Sequence, residues 1–281
     1  MTILVTGASG HLGRLIVERL LARGAAASDV VAGARTPARA ADLGVRVVEL
    51  DYDRPETVAA ALEGVDRVAL VSSSEVGRRA AQHRAVIDAA VAAGVELLAY
   101  TSLFRAAEST HAVAPEHVET ERLIAASGLP AVLLRNNWYN ENQIGAVTLA
   151  AQTGQIVSSA GEGRIASAAR ADYADAAALV LLGDDQAGRV YELAGDVAWS
   201  QDELAAAAAE VLGRDVVHHA VTTQEHIALL EAAGLDVGTA GFVAAMDAGT
   251  AAGQLDSDDH TLSTLIGRPT TPLVDTLRAA V

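Results

Sequence analysis

The chain has 281 residues, 51% hydrophobic and 20% charged, which suits one large α/β domain or a large domain with a small one. Asp and Glu number 36 against 20 Lys and Arg, a net charge of −16 that disfavours binding to nucleic-acid backbones and anionic membranes. Cysteine is absent, which excludes disulfides, thiolate catalysis and cysteine-ligated metals. Lysine is absent as well, so no Schiff-base lysine and no Tyr-x-x-x-Lys pair can form. No basic segment precedes an apolar one at the start and no apolar stretch is long enough to span a bilayer, so the expected setting is the cytoplasm.

Six short apolar runs alternate with helix-length segments through the first half of the chain. They lie at Thr2–Thr6, Val30–Ala34, Val45–Leu50, Arg67–Val71, Leu97–Thr101 and Ala131–Arg135. Each is almost continuously hydrophobic, the pattern of strands buried on both faces of a parallel sheet. Asp53-Arg54-Pro55 reads as a helix start with Asp53 as cap, and Ser127-Gly128-Leu129-Pro130 as a helix stop. A helix is expected over Gly77–Ala92, with one serine of Ser72–Ser74 able to cap it. The order predicts an α/β fold, a Rossmann-like doubly wound parallel sheet with right-handed crossovers.

Regularity weakens after about Trp138. Gly154, Gly161 and Gly163 surround a short apolar run. A helix at Tyr173–Leu182, a strand at Val190–Leu193 and helices at Gln201–Leu212 and His226–Ala233 follow. Asp236–Asp259 reads as irregular, broken by glycines and acids. The expected division is a nucleotide-binding domain over 1–140 and a smaller C-terminal α/β substrate lobe over 141–281. Returns to the sheet are expected near 165–195 and possible near 261–281.

The glycines Gly7, Gly10 and Gly13 follow the first strand and open a helix. Gly7 suits a tight turn, Gly10 a close approach to a pyrophosphate, and Gly13 close packing of helix on strand. The helix N-terminus offers amides and a positive dipole end to phosphates. The second strand ends in Ala34-Arg35-Thr36, without the carboxylate that usually binds the ribose of NAD. Arg35 suits a 2′-phosphate, which points to NADP(H), and Arg39 can share that role.

Ser72, Ser73 and Ser74 end the fourth strand, where hydroxyls can line a ribose, and Thr101 and Ser102 end the fifth. The densest polar segment, Arg135–Asn142, carries four asparagines with Trp138 and Tyr139. Such a set can bind a carboxamide and flank a planar ring. Arg170 is a further candidate, while Asp172 and Asp175 read as charges on the next helix. His111 is expected on a helix surface, and His117 can face the cleft. No metal site is expected: the spacing from His117 to Glu121 is common on exposed acidic helices, and His218 and His219 alternate faces on a strand.

These motifs together resemble one family. TGASGHLG at Thr6–Gly13, SSSEVGRRAAQHR at Ser72–Arg84 and AYTSL at Ala99–Leu103 carry the likeness through the first half. EHVETE at Glu116–Glu121, LLRNNWYNEN at Leu133–Asn142, IASAARADYADAA at Ile165–Ala177 and LIGRPTTPL at Leu265–Leu273 carry it onward. The chain resembles the NAD(P)H:quinone oxidoreductase 2-like group of atypical short-chain dehydrogenases in the NmrA-like superfamily, to which triphenylmethane reductases are related.

The resemblance implies a flavin-free enzyme passing hydride from NADPH to a quinone or similar planar acceptor, as a monomer or homodimer. It implies that Gly7, Ser9, Gly10, His11 and Leu12 hold the pyrophosphate and Arg35 the 2′-phosphate. Ser72, Ser73 and Ser74 would follow the ribose. Asn137, Trp138, Tyr139, Asn140, Glu141 and Asn142 would line the nicotinamide pocket, with Arg170 reaching the cofactor from the second lobe. Asn142 and Tyr139 are the expected catalytic residues. Relatives often carry lysine where this chain has Arg122, which puts any ligand role of that cation in doubt. A reduced quinone resembles a phenolate, with a pKa near ~10, so it can take its proton from water without a Tyr-Lys pair. Two other readings stay open: a non-catalytic NADP(H)-sensing regulator, and a reductase of triarylmethane or azo dyes.

Overall fold

The computed structural model describes residues 1–281. Strand β1 (Ile3–Val5) sends Ile3 and Val5 to one face of the sheet and Leu4 to the other, and all three are buried. Strands β2 (Val30–Ala34), β4 (Arg67–Leu70) and β5 (Leu97–Leu103) also contribute residues to both cores. Burial on two faces is why these runs are nearly all apolar. With β3 (Arg46–Glu49) and β6 (Ala131–Asn136) they form one parallel sheet.

Helix α1 (His11–Ala22) covers one face, burying Ile16 and Leu20. Helices α2 (Pro55–Ala61), α3 (Arg79–Ala93) and α4 (Ala114–Ser127) cover the other, burying Val58, Val86 and Ile124. Two helix starts differ from expectation. Arg54, not Asp53, is the cap position of α2, because Asp53 accepts from Gln82 and pairs with Arg78. Helix α3 has no side-chain cap: it starts later than expected, with Arg78 at the cap position, and Ser73 Oγ donates to Gln82 Oε1 at 2.6 Å.

After β6 come α5 (Ile144–Thr153), β7 (Gln155–Ser158) and α6 (Arg170–Leu182). Helix α6 packs in the same core as α1 through Tyr173, Val180 and Leu181. Strand β8 (Val190–Leu193) then pairs parallel with β6, so the sheet order is β3-β2-β1-β4-β5-β6-β8. Asp172 stands in the first turn of α6 as expected, but both it and Asp175 are buried and paired rather than solvated. Asp172 accepts from the Thr271 amide and pairs with Arg268, and Asp175 pairs with Arg23.

Helix α7 (Gln201–Leu212) and strand β9 (Val217–Ala220) follow, with β9 pairing parallel to β7 in a separate two-stranded sheet. A third core gathers Val147, Ile156, Trp199, Leu204 and Leu277 beneath that ribbon. Capping boxes start α7, from Ser200 to Glu203, and α8 (Thr223–Ala232), from Thr222 to Glu225. The stretch expected to be irregular contains a full helix, α9 (Val237–Ala251), whose cap is Asp236. Its glycines are tolerated, and one is required: a Cβ on Gly249 would collide with the His111 ring. His111 is therefore buried under α9 instead of lying on a helix surface. Short helices α10 (Thr261–Ile266) and α11 (Leu273–Ala280) complete the chain. No helix is long and apolar enough to cross a membrane.

Candidate active site

The strand order reverses at β1, which has β2 on one side and β4 on the other. Ligand clefts in such sheets form outside the carboxyl ends at that point. A cavity of about 610 Å³ opens there, spanning the loops after β1, β2, β4, β5 and β6.

The loop after β1 forms one end. Gly7 has φ +60°, a conformation glycine adopts without strain. A Cβ on Gly13 would collide with the Gly7 carbonyl oxygen, so only glycine lets α1 approach the turn this closely. The first amides of a helix have no intrahelical acceptor, and those of α1 border the cavity at His11, Leu12 and Gly13. That cradle suits a pyrophosphate. Arg35 and Arg39 line the cavity at the end of β2. Arg35 is exposed and donates to Glu75 Oε1 at 2.9 Å, so its guanidinium lies across the mouth between β2 and β4.

All three serines after β4 line the cavity. Ser73 is committed to Gln82, while the Ser72 hydroxyl is buried without a partner. Thr101 Oγ1 accepts from the Ser72 amide, and Ser102 spends its proton on Glu121 Oε1 at 2.6 Å. Ser102 can therefore only accept from a ligand. Arg135 holds Glu121 and Glu192 together behind this wall, and the two carboxylates raise its pKa.

The segment after β6 divides into wall and support. Asn136, Asn137, Trp138, Tyr139 and Asn142 line the cavity. Asn137 spends its amide on Leu255 O and the Trp138 N–H, which leaves it a brace. Asn136 donates to Tyr139 Oη, and its own Oδ1 is buried without a partner. Burial raises the Tyr139 pKa, so the phenol stays protonated. Arg170 Nη2 donates to Asn142 Oδ1 at 2.9 Å. An arginine can only donate, so this bond fixes the amide orientation and leaves Asn142 Nδ2 as a free donor. The Arg170 guanidinium also covers the Tyr139 ring, 5.2 Å from its centre.

Three expected cofactor residues lie outside the cavity lining. Asn140 is fully buried, bonded to Thr271 O, Thr276 and Ser167, so it anchors the C-terminal segment. Glu141 accepts the Arg170 amide with both oxygens and caps α6. Arg170 acts on the cavity through Asn142 and Tyr139. Arg122 is exposed and chelated by Glu119, far from any ligand role.

Sequence reading missed several wall residues: Tyr52, Arg79, Gln82 and Asn136. Arg79 and Gln82 come from the first turn of α3, and no local pattern marks them. Asn136 stands inside the polar segment but ahead of the range assigned to the pocket. His117 does line the cavity, with Nδ1 at 2.8 Å from the Tyr100 hydroxyl. Burial, helped by the Arg79 charge, pushes its pKa down to about 3, and His83 behaves alike.

The residues present fit a nicotinamide dinucleotide. The glycine cradle, the cation at the end of β2 and the unpartnered Ser72 Oγ and Asn136 Oδ1 are the polar features such a molecule needs. A family model described as NAD(P)H-binding matches residues 7–184. The chain is 45% identical to quinone oxidoreductase 2 of Escherichia coli over 98% of its own length and 97% of the relative's. It superposes on the crystal structure of the NADPH-dependent quinone oxidoreductase of Escherichia coli complexed with NADPH with a TM-score of 0.95. Identity there is 44%, over 99% of both chains. The triphenylmethane reductase of Citrobacter sp. complexed with NADP(H) matches with a TM-score of 0.94 and 34% identity over all of both chains.

Proposed function

The chain belongs to the NAD(P)H-binding family, and on that premise we propose that it is an NADPH-dependent quinone oxidoreductase. One observation carries the reading. A single cavity joins a phosphate cradle and the Arg35 cation at one end to the Asn136, Tyr139 and Asn142 wall at the other. The relative that shares 45% identity with the chain is a quinone oxidoreductase, which makes a quinone the favoured acceptor.

When bound, NADPH supplies the hydride. The chain's own residues bind and orient. The α1 amides and Gly7–Gly13 turn receive the pyrophosphate, and Arg35 takes the 2′-phosphate in place of Glu75. Ser72 Oγ and Asn136 Oδ1 gain partners that the folded chain does not give them. Asn142 Nδ2, fixed by Arg170, polarises the acceptor oxygen, and Tyr139 and Trp138 flank a planar ring. The second proton of the hydroquinone comes from water, because the developing phenolate needs no strong acid. We assign Asn142 and Tyr139 as the catalytic residues, the reaction to the cytoplasm, and the working unit to a monomer or homodimer. We also propose the division into a cofactor domain over 1–140 and a substrate lobe mainly over 141–281.

The test is absorbance at the nicotinamide band with NADPH, with and without a simple benzoquinone, and NADH in parallel. Quinone-dependent loss of NADPH, with NADH poorer, is the expected result. Tight NADPH binding with no turnover refutes the enzyme and favours a redox sensor. Turnover with a triarylmethane dye but no quinone refutes the acceptor class.

A further inference from the structure

We propose that His117 donates a hydrogen bond from its Nε2–H to the quinone oxygen that becomes negative during hydride transfer, with Tyr100 as the residue that positions the proton. This role rests on the quinone reductase reading above.

The proton positions follow from the bonds around the histidine. His83 Nε2 accepts from the Ser73 amide at 3.0 Å, so the His83 proton is on Nδ1 and is given to Thr120 Oγ1 at 3.0 Å. Thr120 passes its own proton to the Glu116 carbonyl at 2.8 Å. Thr120 has thus given its proton away and can only accept, so it cannot donate to the Tyr100 hydroxyl. Tyr100 is fully buried, and burial raises its pKa, so it keeps its proton. That hydroxyl lies 2.8 Å from His117 Nδ1, and this nitrogen is assigned as the acceptor of its proton. A neutral imidazole accepting at Nδ1 carries its hydrogen on Nε2. His117 is 7% exposed, and it lines the cavity.

The neighbouring hydroxyl on this wall cannot do the same work. Ser102 has given its proton to Glu121 and can only accept. His117 thus brings a fixed N–H donor from α4, on a different element from the Asn142 amide. A neutral N–H held on the cavity wall needs no reorganisation as charge develops. The chemistry balances without a proton leaving the histidine. The quinone gains two electrons and one proton as hydride, its oxygen becomes a phenolate that accepts the His117 hydrogen bond, and water supplies the second proton.

The first readout is independent of turnover. Nitrogen NMR of histidine-labelled protein, with His117 assigned by its loss in His117→Gln, should show the neutral tautomer protonated on Nε2 at pH 7. A signal from the tautomer protonated on Nδ1 overturns the proposal. The second readout is kinetic. His117→Leu should lower kcat about 10-fold, less than the ~10²–10³ typical of a single oxyanion donor, because a quinone is intrinsically reactive. Its Kd for NADPH should stay within about 2-fold, since the lost bond goes to the acceptor. His117→Gln, which keeps an N–H near the Nε2 position, should recover most of the rate. Tyr100→Phe should lower kcat without moving the NADPH Kd. A His117→Leu protein with parental kcat, or one whose loss follows weaker NADPH binding, overturns this role alone. A parent that reduces no quinone overturns the activity and this role together.

Discussion

Replacing Arg35 with alanine should convert a protein that prefers NADPH into one that binds NADPH and NADH alike. A charge-assisted hydrogen bond contributes about 1.5–3 kcal/mol. Arg35 is exposed, so the lower half of that range applies, and screening at physiological salt weakens it further. Reaching the phosphate also costs the Arg35–Glu75 pair at 2.9 Å, an exposed ion pair contributing about 0.2–1 kcal/mol. The net is about 0.5–2 kcal/mol, or roughly a 2- to 30-fold rise in the NADPH Kd. The NADH Kd should move less than about 2-fold, because its ribose carries no phosphate for the guanidinium to meet. Titration of nicotinamide fluorescence with each dinucleotide measures both values at one salt concentration. Glu75→Gln sharpens the test: it removes the competing carboxylate and should tighten NADPH selectively. Equal weakening of both dinucleotides by Arg35→Ala, or no change in either, would refute the reasoning and shift the role to Arg39.

Gly13→Ala should weaken both dinucleotides together, because its Cβ meets the Gly7 carbonyl oxygen and displaces the whole cradle. The fold itself should lose about 1–3 kcal/mol in urea denaturation, as overpacking generally does. Unchanged binding with Gly13→Ala would show that the turn is not the phosphate site. Asn142→Ala should reduce kcat by about 10-fold while the NADPH Kd holds, since Arg170 leaves the Asn142 amide free for the acceptor; parental turnover removes it from the mechanism. Acid should destabilise the protein well before its carboxylates titrate. His83 and His117 are neutral when folded, with pKa values lowered from 6.5 to about 3, so each takes up a proton on unfolding between those values. Stability is full above about pH 6.5 and falls with acidification by about 1.4 kcal/mol per pH unit per histidine. Urea midpoints at pH 7 and pH 5 that coincide would contradict this burial.

The centre of the sheet was readable because β1, β2, β4 and β5 are buried on both faces, whereas the edge strand β3, expected to be buried likewise, is half exposed. Ile3, Leu4 and Val5 each meet a core, so a continuous apolar run meant a central parallel strand. The cradle was readable because three glycines at fixed spacing have one steric reason each. The helix Val237–Ala251 was not, because Gly238, Gly241 and Gly249 lower its propensity, and the contact that requires Gly249 comes from His111, far away in sequence. The polar segment after β6 was recognised but not resolved into roles. Asn136 and Asn142 offer polar atoms to the cavity while Asn137 and Asn140 hold Leu255 and Thr271, and those partners lie more than a hundred residues on. That His117 can face the cleft was legible and holds, but Arg79 and Gln82 were harder, since a helix face acquires its meaning from the strand beneath it.

The most direct test of hydride transfer is a single turnover. Protein saturated with NADPH is mixed with excess benzoquinone, once with hydrogen and once with deuterium at the transferred position. The expected result is a single exponential loss of nicotinamide absorbance that is slower with deuterium. Bound NADPH whose absorbance does not change on mixing would contradict the reductase and leave a cofactor-binding protein without this chemistry.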